Sequence, residues 1–293
     1  MLNIGVTSRS FSGLSISDTA AAMQSHGFRC TELCFTHPEL PGKGPGLTGW
    51  TYNGIGSLEG ITPAKVKEAA DIFRAHGIEV TSLGLFTDLR NPDAEMRAKV
   101  MDYAKRYMEF AAEAGIPYIA SECGFTPGRR GINTDTYESD YQTIKDMLRD
   151  VCLEAEKYNV KIALEACVLD IIPSPRRLKT LIDELEAETH VRLTSMLDPA
   201  NFIANSDEEG MFCYLKHDIG YFHGKDRKIN ATYGCNLGDG DIDWVKFMEC
   251  YIRFADKTPF ILEYCNAENC GEIKKRAEDY YDAAFRMILN RIY

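Results

Sequence analysis

The 293-residue sequence lacks several features that define particular classes of protein. It contains no apolar run long enough to span a bilayer, and its ten cysteines include no CxxC pair. Positive charge is also scarce: 33 Lys and Arg residues stand against 44 Asp and Glu residues, so the formal net charge is −11. A field of this sign repels phosphate backbones and anionic lipids. We therefore expect no membrane partner, no nucleic-acid partner and no cysteine-based structural zinc site.

The first residues and the cysteines indicate the compartment. The chain does not open with a basic segment followed by a longer apolar stretch, so we expect a cytoplasmic protein. Cysteines in such a protein are expected to be reduced and mostly buried. Cys123, Cys167 and Cys265 fall at the ends of predicted strands, where we interpret them as small apolar side chains that fill space.

Short apolar runs alternate with longer amphipathic segments along the whole chain, which is typical of βα repeats. Eight runs are candidate strands: Asn3–Val6, Cys30–Cys34, Val80–Leu85, Tyr118–Ser121, Lys161–Glu165, Arg192–Asp198, Gly220–His223 and Phe260–Glu263. Eight strands with interleaved helices and no compositional break predict one α/β domain over residues 1–293, closed as a (β/α)8 TIM barrel. An open doubly wound sheet has the same rhythm and stays the alternative.

One connection between the predicted elements is long and unusual in composition. Residues 37–59 contain six glycines together with Trp50, which is too rich in turn residues for a helix. We predict a loop that covers the substrate, with Trp50 as a substrate-binding residue. His37, at the root of this loop, is a second candidate. The alternative is a loop whose rings pack against the outside of the barrel.

Metal-capable side chains end the last four predicted strands: Glu165, Asp198, His223 and Glu263. The active site of such a barrel is built from the C-terminal ends of its strands, so all four are expected at one mouth. Any one of them alone could simply pair with a neighbouring Lys or Arg. Three carboxylates together repel one another, and a divalent cation offsets that repulsion. Three oxygen donors and an imidazole suit Mn²⁺, Mg²⁺ or Co²⁺, and also Zn²⁺.

Short motifs occur in a specific order over essentially the whole chain: Asn3-Ile4-Gly5-Val6, Thr31-Glu32-Leu33, Ala163-Leu164-Glu165, Leu197-Asp198-Pro199-Ala200-Asn201, His223-Gly224-Lys225-Asp226 and Leu262-Glu263-Tyr264. In this order and spacing the sequence resembles the sugar phosphate isomerase/epimerase family of the xylose isomerase-like TIM-barrel superfamily. The resemblance implies that the four strand-end residues bind one divalent metal ion. It also implies that Glu165 and Glu263 are the catalytic acid and base.

The function implied by the resemblance is that of a metal-dependent sugar isomerase or epimerase, which abstracts a proton next to a carbonyl and forms a metal-stabilised enediolate. The same enediolate could expel a β-substituent, which would make the protein a lyase or dehydratase of an oxidised sugar, an inosose or a 3-oxo-glycoside. Ketose epimerases of the family have a histidine where this chain has Asn201, whose amide cannot shuttle a proton. This difference places ketose 3-epimerisation in doubt.

Further substrate-binding candidates lie near the predicted mouth: Asn201, Lys225, Arg227 and Glu122. Lys225 and Arg227 could stabilise a developing oxyanion or bind a phosphate. A structural ion pair with Asp226 is the alternative for both. Glu122 ends the fourth strand and could hold a substrate hydroxyl.

Two other classes of function stay open. A DNA-repair endonuclease of the related endonuclease branch needs a cluster of additional metal-binding histidines, whereas this sequence has six histidines in all. Its acidic charge also disfavours DNA. A non-catalytic subunit or sugar-binding protein could retain the barrel. We expect a small-molecule carbohydrate substrate, and a homo-oligomer by analogy with other barrels of this type.

Overall fold

The structure is a computed structural model, and it describes residues 1–35, 60–86, 89, 93–123 and 133–292. The predicted covering loop at residues 37–59, with His37 and Trp50, lies outside the described residues. Among the described residues, none of the helices combines the length and the apolar character needed to cross a bilayer.

In the described residues, eight parallel strands form a closed barrel in the order in which they occur in the chain. They are β1 (Ile4–Val6), β2 (Cys30–Cys34), β3 (Glu79–Gly84), β4 (Tyr118–Glu122), β5 (Lys161–Glu165), β6 (Thr194–Leu197), β7 (Ile219–Gly224) and β8 (Phe260–Leu262). The first strand pairs with both the second and the eighth, which closes the sheet. The predicted (β/α)8 TIM barrel is therefore confirmed, and the open doubly wound alternative is wrong.

The strands are connected through helices on the outside of the barrel. In the described part of the chain these are α1 (Ile16–Ser25), α2 (Pro63–Ala75), α3 (Ala94–Ala114), α4 (Tyr137–Lys157), α5 (Pro175–Thr189), α6 (Glu208–Leu215), α7 (Trp244–Phe254) and α8 (Cys270–Ile292). Local signals set several ends. The Thr62 hydroxyl accepts a hydrogen bond from the N–H of Lys65 at the start of α2, and α3 ends at Gly115, whose φ is 65°.

The inside of the barrel is filled by a small apolar cluster. Its buried members come from alternate positions of several strands and the segment after β3: Cys30, Cys34, Phe86, Ala120, Ala163, Met196, Tyr221 and Ile261. Alternation along β2 directs Glu32 to the same side as Cys30 and Cys34, and this glutamate is fully buried. Because apolar side chains fill most of the interior, most polar side chains of the barrel are expected at the C-terminal ends of the strands.

Candidate metal centre

The four predicted ligands lie together at the C-terminal end of the barrel. Glu165 is the last residue of β5, His223 lies near the end of β7, and Asp198 and Glu263 directly follow β6 and β8. One potential ligand atom from each residue lies within 4.8 Å of the others, and all four side chains are buried. The strands therefore bring these four groups to one point, while their role as ligands stays a prediction.

The donor atoms of this cluster fit a divalent ion. The Nδ1 atom of His223 is buried and has no hydrogen-bond partner among the described residues. It lies 3.3 Å from Oε2 of Glu263 and 3.7 Å from Oε1 of Glu165. An imidazole nitrogen directed at carboxylate oxygens is the mixture of donors that Mn²⁺, Co²⁺ and Zn²⁺ accept. A metal ion would be held by this nitrogen and by the carboxylates of Glu165, Asp198 and Glu263.

Lys225 contacts all three carboxylates of the cluster. Its Nζ lies 2.6 Å from Oδ2 of Asp198, 2.9 Å from Oε2 of Glu263 and 3.2 Å from Oε1 of Glu165. The neighbouring Asp226 carboxylate accepts hydrogen bonds from the backbone N–H groups of Arg227 and Gly238 and from the Trp244 indole. Among the described residues, Lys225 thus forms ion pairs with three metal-capable acids.

Asn201 and Arg227 lie behind Glu165 in a chain of hydrogen bonds. The Asn201 amide donates to Oε1 of Glu165 at 2.8 Å, and its carbonyl accepts from Nη2 of Arg227 at 2.9 Å. Nη1 of Arg227 donates in turn to the backbone carbonyl of Thr232. Both side chains are buried, so the structure places them where they orient Glu165. Their predicted contact with substrate stays a prediction.

Glu122 lies on the strand next to Glu165. The two residues are register partners in the pairing of β4 with β5, and Glu122 is partly exposed. This position is at the level of the metal-capable cluster, so the predicted contact of Glu122 with a substrate hydroxyl stays a prediction.

The acids of the cluster differ in their pKa, which is lowered at Glu165 and Glu263 and raised at Asp198. Burial alone would raise the pKa of Glu165, but Lys225 and His223 lower it to about 2. At Glu263 burial also raises the pKa, but Lys225, His223 and Arg9 together hold it well below its usual range. At Asp198 the increase caused by burial is larger than the decrease caused by Lys225, and the pKa rises to about 7. The two predicted acid and base residues are therefore ionised at neutral pH.

The buried acids around His223 change the pKa of its imidazole. Burial lowers the pKa of His223, but Glu263 and Glu32 raise it well above its usual range. A proton and a metal ion therefore compete for this side chain.

The family model of the xylose isomerase-like TIM barrel matches residues 20–291. The chain belongs to this family. Among solved structures, a D-tagatose 3-epimerase-like protein superposes with a TM-score of 0.76 at 14% identity, over 98% of this chain and 100% of the other. No curated protein sequence matches the chain significantly.

Two further solved structures are similar to this xylose isomerase-like barrel. The IOLI protein, described with a binding zinc atom, has a TM-score of 0.69 and 18% identity, over 99% of this chain and 97% of the other. The 3-keto-D-glucoside 4-epimerase YcjR of E. coli has a TM-score of 0.69 and 14% identity, over 95% and 100%. At these identities the likeness concerns the fold.

Two residues of this xylose isomerase-like site were missed by the sequence analysis. The Oε2 atom of Glu32 accepts a hydrogen bond from the Tyr221 hydroxyl at 2.7 Å and lies 3.2 Å from Nε2 of His223. Arg9 contacts the Glu263 carboxylate and lies 3.5 Å from Oε1 of Glu32. An acid in the middle of a buried strand could have drawn attention to Glu32. No comparable signal marked Arg9.

Two aromatic residues beside the cluster have unusual backbone angles. Tyr264, directly after Glu263, has a φ of 56°, and Phe86 has a φ of 36°. The Tyr264 ring centroid lies 5.3 Å from Nζ of Lys225, and the Phe86 ring lies 4.8 Å below the guanidinium of Arg9. Left-handed backbone at non-glycine residues is costly and concentrates at functional sites. At both positions the left-handed residue thus carries an aromatic ring that packs against a cation of the cluster, Lys225 or Arg9.

Proposed function

We propose that this member of the xylose isomerase-like family is a metal-dependent sugar isomerase or epimerase. The observation that carries the proposal is the buried convergence of Glu165, Asp198, His223 and Glu263 within 4.8 Å. The names of the similar structures, a D-tagatose 3-epimerase-like protein and a 3-keto-D-glucoside 4-epimerase, support a sugar substrate. The zinc atom of the IOLI protein supports a divalent metal.

Glu165 and Glu263 are the groups that would move the proton. They come from different strands of the barrel, so they can approach a substrate carbon from two sides. Lys225 and His223 hold the pKa of both below its usual range although burial opposes this, so each is a carboxylate before the reaction starts. One carboxylate takes the proton from carbon, and the other, after taking a proton from solvent, delivers that proton to the opposite face; this inverts the carbon, which is epimerisation. Return of the proton to the neighbouring carbon is isomerisation.

Other side chains hold these two carboxylates in place. The Asn201 amide donates a hydrogen bond to Glu165, and Arg9 contacts Glu263 from the segment after β1. Lys225 would add positive charge beside an oxygen on which negative charge develops. When bound, a divalent ion would supply a Lewis acid that stabilises the charge of an enediolate.

Elimination is the second candidate, and one contact favours it. The amide of Asn201 donates to Glu165 and cannot shuttle a proton, whereas ketose epimerases of the family have a histidine at this position. Without a proton relay at this position, proton removal by one carboxylate can be followed by loss of a β-substituent, which leaves with the electron pair of its bond to an oxidised sugar, an inosose or a 3-oxo-glycoside. The barrel would then be a lyase with the same metal centre.

Solvent deuterium separates these outcomes. The protein is loaded separately with Mn²⁺, Mg²⁺, Co²⁺ or Zn²⁺ and incubated in D₂O with ketoses, inososes and 3-oxo-glycosides. A product of unchanged formula with deuterium at carbon supports isomerisation or epimerisation, and an unsaturated product supports the lyase. Absence of both exchange and product with every metal would contradict the proposal.

Matched variants connect any activity to the cluster. We expect Glu165→Gln and Glu263→Gln each to lose deuterium incorporation. Glu79→Gln removes an exposed glutamate at the opposite end of β3 and should exchange like the unaltered protein. Equal rates in all three variants would place the chemistry elsewhere.

A further inference from the structure

We propose that Glu32 is a positioning residue for the metal centre, which fixes the ring orientation and the tautomer of His223. The inference rests on the proposed function, because it concerns the ion that the cluster would hold. Glu32 belongs to β2, in the half of the barrel that contributes none of the four predicted ligands. It would act on the metal only through the imidazole.

The contact between Glu32 and His223 determines which ring nitrogen faces the ion. Oε2 of Glu32 lies 3.2 Å from Nε2 of His223, and both side chains are fully buried. A carboxylate can only accept, so Nε2 must carry the hydrogen. In the neutral ring the lone pair is then on Nδ1, the nitrogen without a hydrogen-bond partner that faces Glu165 and Glu263. This is the tautomer that a metal ion requires.

Glu32 is itself held from several directions. The Tyr221 hydroxyl donates to its Oε2 at 2.7 Å, and the Ser82 hydroxyl donates to the same oxygen at 3.3 Å. Nη2 of Arg9 lies 3.5 Å from the other oxygen. Tyr221 precedes His223 by two positions on β7, so both side chains point into the barrel and meet the same carboxylate. The carboxylate therefore has one orientation relative to the ring.

A purely structural role explains this residue less well. Glu32 lies among Cys30, Cys34 and the other apolar side chains of the barrel interior, where a buried acid is costly. A glutamine could accept the hydroxyl hydrogen bonds with a neutral group of the same size. What a glutamine cannot provide is the charge that makes the imidazole a stronger ligand. Carboxylate partners of metal-binding histidines commonly have this effect, which amounts to about 10- to 100-fold in metal affinity.

The test is the affinity of Glu32→Gln for Zn²⁺ and Co²⁺, measured by calorimetry and by competition with a chelator. We expect dissociation constants about 10- to 100-fold higher than those of the unaltered protein. The Co²⁺ absorption spectrum should also change, because a neutral amide beside Nε2 makes the imidazole a weaker ligand. Glu208→Gln is the matched control, since Glu208 is another buried acid, whose carboxylate accepts from the Asp243 backbone N–H. It should bind both metals as the unaltered protein does.

The outcomes separate this inference from the proposed function. Equal metal affinities and equal Co²⁺ spectra for the unaltered protein and Glu32→Gln would overturn the role of Glu32 and leave the metal centre standing. Failure of the unaltered protein to bind any divalent ion would overturn both.

A second measurement covers the case in which Glu32→Gln does not fold. Nitrogen-15 NMR of the unaltered Zn²⁺ form reports the tautomer of His223 directly. Hydrogen on Nε2 supports the inference, and hydrogen on Nδ1 overturns it.

Discussion

Both ends of the barrel bury a carboxylate beside a cation, but the two arrangements differ in how deeply the other partners are buried. At the N-terminal end, Asp218 follows α6 and accepts from Nε of Arg192 at 2.6 Å, with Nζ of Lys179 at 3.5 Å, and these two partly exposed cations also contact the exposed carboxylates of Glu186 and Asp183. At the C-terminal end, four acids meet two permanent cations and one imidazole among the described residues that contact one another: Glu32, Glu165, Asp198, Glu263, Arg9, Lys225 and His223.

The difference separates a stabilising ion pair from a site with a function. Carboxylates buried close together oppose one another's ionisation unless a cation offsets them, so the fully buried acids at the C-terminal end indicate a site that binds a cation. The partly exposed ion pairs at the N-terminal end instead suit a role in stability, as is general for this face of a barrel. Substitutions at the two ends should therefore affect different measurements.

Glu263→Gln should produce the largest effect, on activity. We expect kcat to fall by about 10³-fold or more, because one proton-transfer group and one metal ligand are lost together. Little loss of stability is expected, since the remaining acids still face Lys225. Steady-state kinetics and urea unfolding measure the two quantities. A variant that turned over normally but unfolded readily would reverse the assignment of this end.

Asp226→Asn tests whether every acid at the C-terminal end is functional. The Asp226 carboxylate accepts from three backbone N–H groups, those of Arg227, Gly238 and Ile242, and from the Trp244 indole. An amide nitrogen cannot accept, so we expect the free energy of unfolding to fall by about 3 kcal/mol. Urea denaturation measures it. A negligible loss would mean that the hydrogen bonds of Asp226 contribute little to this end of the barrel.

Metal binding should stabilise the C-terminal cluster. Mn²⁺ at about 100 times its dissociation constant should raise the free energy of unfolding by about 2.7 kcal/mol, and a chelator should reverse the effect. Asp198→Asn should show no such gain, because it removes one ligand of the cluster. Thermal unfolding with and without the ion makes the comparison. An identical gain in both proteins would place the ion elsewhere.

Asp218→Asn should have the smallest effect, and only on stability. Arg192 is 37% exposed, which lowers the cost relative to a fully buried pair. We expect a loss of about 2 kcal/mol in the free energy of unfolding. The kcat of the folded variant should stay unchanged. A drop in kcat with unaltered stability would show that the two ends are coupled.

The boundaries of the strands were predicted well where apolar runs end abruptly. All eight predicted strands match to within two residues, and the largest difference is at β6. That strand begins at Thr194 and ends before Asp198, whose side chain accepts from the N–H of Ala200. Pro199 has no N–H to continue the ladder, so a short 3-10 helix starts there. Local chemistry thus explains why the strand ends before Asp198.

The candidate site was predicted only in part. Glu165, Asp198, His223 and Glu263 end apolar runs, and strand ends of a parallel barrel meet at one mouth. Glu32 has no such signal because it lies inside β2, and it meets His223 across the barrel at a separation of 191 residues. The position of Lys225 against three acids was not predicted either.

The sequence by itself determined the alternation of strands and helices and which metal-capable side chains end the strands, while the pairing of β1 with β8 closed the barrel. The alternation and the strand ends follow from periodicity and from the types of residue at each position. Only the tertiary structure decided that Lys225 contacts three carboxylates and that Glu32 faces Nε2 of His223. Contacts between distant strands depend on the stagger of the closed sheet and on how its interior packs, and no local pattern encodes either.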